Sequence, residues 1–195
     1  YDVRAEPVSE LAAMGAVACT SPAAVAGGSD IIISLVSDAA QTDAVVSGAG
    51  GILETLKPGA IFATGSTLGP APVIRISQQI AAKGGHTLDT PISGGILAAR
   101  EGTLSLMAGG DSGILDCAMP VLRVFARDVT HTGDIGTGQV AKLAHQLVFS
   151  VNVMALLEGL ALGDAGGVSP DVMRNVLKQG LANSTVLPVW PELGP

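Results

Sequence analysis

Cysteine is scarce in this chain, and the little there is has no pattern. Cys19 and Cys117 are the only two in 195 residues. They show neither paired metal-ligand spacing nor a disulfide framework, so no metal centre is expected and a reducing cytoplasm is the default compartment. Basic residues are also few: 10 Lys and Arg stand against 17 Asp and Glu, for a formal net charge of -7, and no Lys/Arg cluster occurs. That balance disfavours a phosphate-backbone binder, and no nucleic-acid partner is expected. Internal repeats and low-complexity tracts are missing, and "YDVRAEPVSE" at the start lacks the basic region and apolar core of a signal peptide.

What is abundant is apolar. Hydrophobic residues make up 48% against 14% charged, with 26 scattered glycines, the composition of a globular protein and not of a disordered or collagen-like one. The most apolar stretch, "LVFSVNVMALLEGLALG" at 147 to 163, contains Ser150, Asn152 and Glu158 and is short for a membrane span. A buried helix is expected there, with no membrane association.

The short β-branched runs "DIIISLV" at 30 to 36 and "GAIFAT" at 59 to 64 are bounded by Gly, Pro or Asp and predict buried strands. Helix signals alternate with them: Ser before Pro in "SPAAVAG" at 21 to 27, and the lysine and glycines that stop "GPAPVIRISQQIAAKGG" at 69 to 85. Such alternation implies an α/β fold with a doubly wound, mostly parallel sheet. From Gly136 the pattern changes to a long apolar helix, a turn at Gly166-Gly167 and a further helix after Ser169-Pro170, with no clear strand. A doubly wound α/β domain over 1 to 132 and an all-α domain over 133 to 195 are expected. Tyr1-Asp2 reads as the end of a strand, and the ten residues before Pro195 as an irregular tail.

Four segments contain candidate chemistry. Ser93-Gly94-Gly95 offers a hydroxyl and unobstructed backbone N-H groups for a carboxylate or phosphate, against the simpler reading of glycines that only turn the chain. Ser66-Thr67, after a buried strand, serves either as a helix cap or as a ligand contact beyond the strand ends. Lys142 and Gln146 lie one helical turn apart on one face, where a buried lysine with a lowered pKa suits proton transfer and a solvent-facing one merely snorkels. His145 points elsewhere and reads as a packed histidine. "GTGQVA" at 136 to 141 satisfies a dinucleotide pattern, but the helix continues past Glu158 instead of giving way to a second strand, so its glycines are read as a helix entry.

In order and spacing, "YDV", "SPAAVAGGSDIIISLVSD", "GAIFATGST..GP", "LDTPISGG...AREGTLSLMAGG" and "GDIGTGQVAKLAHQ" resemble the β-hydroxyacid dehydrogenase family. The resemblance covers nearly the whole chain, and "DTPISGG" and "GTGQVAK" are its specific carriers. It implies an NAD(P)-binding Rossmann-like domain joined by a long helix to an all-helical domain. The implied activity is hydride transfer between NAD and a short 3-hydroxy acid such as 3-hydroxyisobutyrate, or reduction of tartronate semialdehyde. Lys142 matches the catalytic lysine of the family, Ser93, Gly94 and Gly95 its carboxylate-binding motif, and Gln146 the amide that orients substrate. Leu35, Val36 and Thr67 match cofactor-lining positions, and Asp2 the acid that goes with NAD in preference to NADP. A small carboxylate substrate and a homodimer or homotetramer are implied in turn.

The chain departs from the family at His145-Gln146, where Asn-Asn is usual, and at Val36 and Thr64, where proline and aspartate are common. The glycine-rich loop of the family would precede Tyr1, and its closing helices with another cofactor-side lysine would follow Pro195. The chain is therefore expected to be a fragment that binds a dinucleotide poorly by itself. The rival reading is a non-catalytic binding or assembly module that keeps the dehydrogenase fold.

Overall fold

The computed structural model describes residues 1 to 187. The irregular tail expected at the end lies mostly outside them. Two units are distinguished, Tyr1–Leu143 and a second from Ala144 onward.

The first unit alternates helices and strands. Helices α1 (Ala5–Ala13) and α2 (Pro22–Gly28) precede strand β1 (Ile31–Ser34). Then come α3 (Ala39–Ser47), a 3-10 turn at Ile52–Glu54, β2 (Ile61–Thr64), α4 (Pro70–Ala82) and β3 (His86–Asp89). Strand β4 (Ile92–Ser93), α5 (Gly95–Glu101), β5 (Leu104–Gly109), α6 (Ser112–Leu122) and β6 (Ala126–Gly133) complete the sheet, and α7 (Thr137–Ala165) leaves it. Several helix starts are visible in the sequence because a short polar side chain supplies the cap. Ser21, Asp38 and Asp111 each accept a hydrogen bond from the backbone N-H three residues on, satisfying a donor that the first helical turn leaves open.

The sheet runs in the order β1-β2-β3-β5-β4, with β6 also paired to β5. The pairs β1/β2, β2/β3 and β5/β6 are parallel, while β5 is antiparallel to β3 and β4. All four residues of β2 are buried, and successive side chains enter opposite cores, as a strand's period of two requires. Ile61 and Ala63 join Leu88, Leu106, Leu115 and Leu122 on the side covered by α6. Phe62 joins Ile32, Val46, Ile76 and Ile80 on the side covered by α3 and α4. Fully burying Phe62 contributes about 1.5–3 kcal/mol. Helices on both faces make this a doubly wound, Rossmann-like domain. Tyr1 and Asp2 lie in no strand, and β1 stands at one end of the strand order, next to β2 alone.

In the second unit, α8 (Pro170–Gln179) follows a turn in which Gly167 takes φ 83. Its described core is small: Leu156, Val186 and Leu187, with Phe149, Val153, Leu160 and Leu177 packed against them. The expectation of a buried apolar helix is therefore corrected. Leu147, Val148, Val151, Met154 and Leu162 of α7 are exposed, because the described part of this unit has too few apolar side chains to cover them. By length and composition alone α7 could cross a membrane, as core helices of many proteins could.

Candidate active site

Strands β1, β2 and β3 are parallel and end level at Ser34, Thr64 and Asp89, and the register row is continued by Gly109 of the antiparallel β5. Ligands of open α/β sheets sit in the crevice outside such carboxyl ends. The extended chain of β3 then runs on past this edge as β4, since the partners along β5 step from Gly109 opposite Asp89 to Leu106 opposite Ile92 and Ser105 opposite Ser93.

At the centre of the row, Asp89 is 0% exposed. One of its oxygens accepts from the Gly136 N-H at 2.9 Å and the other from the Gln139 N-H at 2.8 Å. A carboxyl group thus occupies the N-terminus of α7, where open N-H groups and the helix dipole favour an anion. Burial pushes its pKa above the usual carboxylate value, and the hydrogen bonds from the helix oppose that rise. The close approach depends on Gly138, where a Cβ would lie 2.7 Å from an Asp89 carboxyl oxygen and also meet the Met107 carbonyl. "GTGQVA" is thereby explained. Gly138 admits Asp89, and the helix N-terminus already has its acceptor in the Asp89 carboxyl.

Gln139 is likewise 0% exposed and binds the loop after β2. Its Oε1 accepts from the N-H groups of Leu68 at 2.8 Å and Gly69 at 3.1 Å, and its Nε2 donates to the Ser66 carbonyl at 3.0 Å. The Ser66 hydroxyl donates in turn to the Val36 carbonyl at 2.5 Å, which extends the chain of hydrogen bonds to the end of β1.

Three residues beyond Gln139, Lys142 is 8% exposed. Among the described residues its ammonium has no hydrogen-bond or ion-pair partner. Burial pushes its pKa below the ordinary lysine value, because low-polarity surroundings disfavour the charged form. The stem of Lys142 is covered, as it would be in either reading of the spacing, and partial desolvation of its ammonium is what lowers the pKa.

Ser93 ends β4 half-buried, and Gly94 and Gly95 follow in the open at φ 126 and φ 67. Both angles suit glycine alone, and a Cβ on Gly94 would stand 2.6 Å from that of Ala98, whereas one on Gly95 would meet open space. Gly94→Ala is expected to cost about 1–3 kcal/mol and Gly95→Ala less, read as the shift in urea midpoint. Equal costs at the two positions would show that the close approach is immaterial.

Of the residues expected to line a cofactor, Leu35 is 59% exposed with the end of its side chain over Gly65, and Thr67 is exposed. The buried hydroxyls of Ser34 and Thr64, on the register row, have no hydrogen-bond partner among the described residues. Asp2 is engaged locally: its carboxylate accepts from the Arg4 N-H at 2.8 Å and from the Arg4 guanidinium at 3.3 Å, which hold it below the usual carboxylate value. In the second unit, Gln146 receives a contact of 3.3 Å from the ring of His145.

One unit therefore contains Lys142, the 93 to 95 turn, Leu35, Val36 and Thr67. Gln146 belongs to the other unit, and Asp2 is occupied by Arg4. Sequence reasoning missed Asp89 and Gln139. Their local signals are slight, a single acid closing a short strand before Thr90-Pro91 and an amide within a glycine-rich helix start.

Comparison with known proteins agrees with this architecture. Residues 1–133 match the NAD binding domain of 6-phosphogluconate dehydrogenase, and residues 136–192 match the NAD-binding family of NADP-dependent 3-hydroxyisobutyrate dehydrogenase. The chain is 32% identical to 2-(hydroxymethyl)glutarate dehydrogenase of Eubacterium barkeri over 94% of its own length and 61% of that protein. It is 34% identical to 2-hydroxy-3-oxopropionate reductase of Escherichia coli, again over 94% of its length and 63% of the relative. Among solved structures, 3-hydroxyisobutyrate dehydrogenase from Salmonella typhimurium superposes with a TM-score of 0.86 at 31% identity, covering 98% of this chain and 67% of that one. The chain thus spans about three fifths of the length of these curated relatives. The strand row closed by Asp89, the helix that starts on it and the two family matches place the chain in the β-hydroxyacid dehydrogenase family, within its NAD-binding part.

Proposed function

We propose that the protein containing this chain transfers a hydride between a nicotinamide dinucleotide and a small 3-hydroxy acid, with Lys142 as the general acid and base. The observation that carries this reading is a lysine 8% exposed, without a partner among the described residues and with a lowered pKa, on the helix that leaves the dinucleotide-binding sheet. A partly desolvated ammonium with no ion-pair partner among the described residues is a cost to the fold, and a lysine pKa displaced downward is the direction that acid–base catalysis requires.

The names of the relatives share one piece of chemistry. 2-(Hydroxymethyl)glutarate, 2-hydroxy-3-oxopropionate and 3-hydroxyisobutyrate each have an alcohol or aldehyde on the carbon attached to the carbon that bears a carboxylate. A site for them must grip the carboxylate and place the adjacent carbon beside a proton acceptor. Ser93 with the backbone N-H groups of Gly94 and Gly95 would do the first, and Lys142 the second. In oxidation, the neutral amine takes the hydroxyl proton as the C-H bond breaks, and the carbon becomes an aldehyde; in reduction the ammonium returns that proton to the oxygen. The bound dinucleotide, when present, accepts or supplies the hydride. Gln146 would orient the reacting oxygen.

The strand ends fit such a cofactor: apolar Leu35, the Val36 backbone and Thr67 offer a mixed surface. Asp2 favours NAD over NADP, because a carboxylate accepts from ribose hydroxyls and repels a 2'-phosphate. Contact with ribose would require it to exchange its hold on Arg4. A domain division near residues 132 and 133, a homodimer or homotetramer, and residence in the cytoplasm complete the proposal.

The test is an NAD-reduction assay of the intact protein with 3-hydroxyisobutyrate and related 3-hydroxy acids, each compared with its ester. Acids should turn over and esters should not. Ser93→Ala is expected to raise KM about tenfold, the value of one hydrogen bond to a charged group, with a smaller change in kcat. An unchanged KM, or equal turnover of acid and ester, would remove the carboxylate from that turn.

A further inference from the structure

The start of α7 is fastened to the sheet far more heavily than the joining of two elements requires. Within four residues, Gly136, Gly138 and Gln139 direct backbone N-H groups toward the buried Asp89 carboxyl. The Gln139 side chain adds three hydrogen bonds to residues 66, 68 and 69. Neither Asp89 nor Gln139 has surface left to offer a ligand. Their effect is on the helix. Three residues along an α-helix is a rise of about 4.5 Å and a return to nearly the same face, so Gln139 and Lys142 share one side. The exposures agree: Gln139 and Lys142 are 0% and 8% exposed, while Val140 and Leu143 are 55% and 46% exposed. A rotation of α7 by one residue, about 100°, would carry Lys142 out to the wet face.

We propose that Asp89 and Gln139 are positioning residues for the Lys142 amine. Together they lock the rotation and axial setting of the first turn of α7 to the carboxyl ends of β3 and β2, so that the amine is held in place by the same loops that present Val36 and Thr67. The proposal rests on Lys142 being the acid–base group for its significance, but its test does not depend on activity. No charged side chain makes an ion pair with Lys142 among the described residues, and burial alone displaces its titration. Asp89 therefore acts on the amine through the position of the helix and not through its charge.

That distinction fixes the sign of the test. In intact protein labelled with 13C,15N-lysine, the Nζ titration of Lys142 is followed by NMR and assigned by its loss in Lys142→Met. Asp89→Asn and Gln139→Met are each expected to move that titration upward, toward the ordinary lysine value, as the loosened helix lets the amine reach more water. If Asp89 acted through its charge, Asp89→Asn would move the titration downward. If the network served stability alone, the titration would stay while the melting temperature fell. Either result overturns the proposal.

Should a variant fail to fold, hydrogen exchange in the unsubstituted protein decides. The N-H groups of Leu68, Gly69, Gly136 and Gln139 are expected to exchange through one shared opening with a common dependence on denaturant, and independent openings would overturn the coupling. The two readings fail separately. Full turnover by Lys142→Met removes the acid–base role and leaves the positioning intact, whereas loss of turnover with an unmoved titration in both variants removes the positioning alone.

Discussion

Lys142→Met in the intact protein is expected to lower kcat for 3-hydroxy acid oxidation by about 100- to 10,000-fold, the usual contribution of a positioned acid or base, and to leave the fold at least as stable. Methionine fills the space of the lysine stem without its charge. The stability effect follows from the direction of the pKa shift. The amine is depressed in the folded chain. Below its folded pKa the charged form is held at a cost that the unfolded chain does not bear. That cost fades as pH rises from the folded value toward the ordinary lysine value. The gain from Lys142→Met should therefore be greatest near neutrality and shrink in alkaline buffer. A variant that loses both activity and stability would make Lys142 a structural residue, and one that retains turnover would end its catalytic role.

Asp89→Ala should have the largest effect on folding, a loss of about 3–5 kcal/mol by chemical denaturation. The carboxyl is fully buried and serves N-H donors at 2.9 and 2.8 Å, and its removal strands those donors inside the protein. Each unsatisfied buried group costs about 1–3 kcal/mol. The raised pKa gives the effect a direction with pH. A carboxyl whose folded pKa exceeds its unfolded value contributes most below the unfolded value and loses part of that contribution as pH rises through the folded one. The deficit of the alanine variant should accordingly be larger in acid than at neutral pH. A loss under about 1 kcal/mol at every pH would mean that water replaces the carboxyl without cost.

The local rules were legible in the chain, and the long contacts were not. "DIIISLV" and "GAIFAT" become β1 and β2 because a short apolar run between Gly, Pro and Asp has few other buried conformations. Ser21 caps α2 as its place before Pro22 suggests. Ser93-Gly94-Gly95 lies past the sheet edge with both glycines at positive φ. By contrast, Asp89 meets Gly136 across 47 residues and Gln139 meets Ser66 across 73, separations at which a hydrophobic or capping pattern has no information. Helical spacing placed Lys142 on a face without revealing whether that face was covered. The opposite error occurred on α7, where high hydropathy suggested burial but Leu147, Val148 and Val151 are exposed. Hydropathy records what a surface would gain from cover and is silent on what supplies it.

The sharpest comparison is between two titrations of one protein, the pH dependence of kcat/KM for NAD-linked oxidation of a 3-hydroxy acid and the Lys142 Nζ signal by NMR. The acid-side fall of kcat/KM should follow the loss of neutral Lys142 amine, with the same midpoint in both records. An acid limb that stays in place while the amine titrates elsewhere would contradict proton transfer by Lys142.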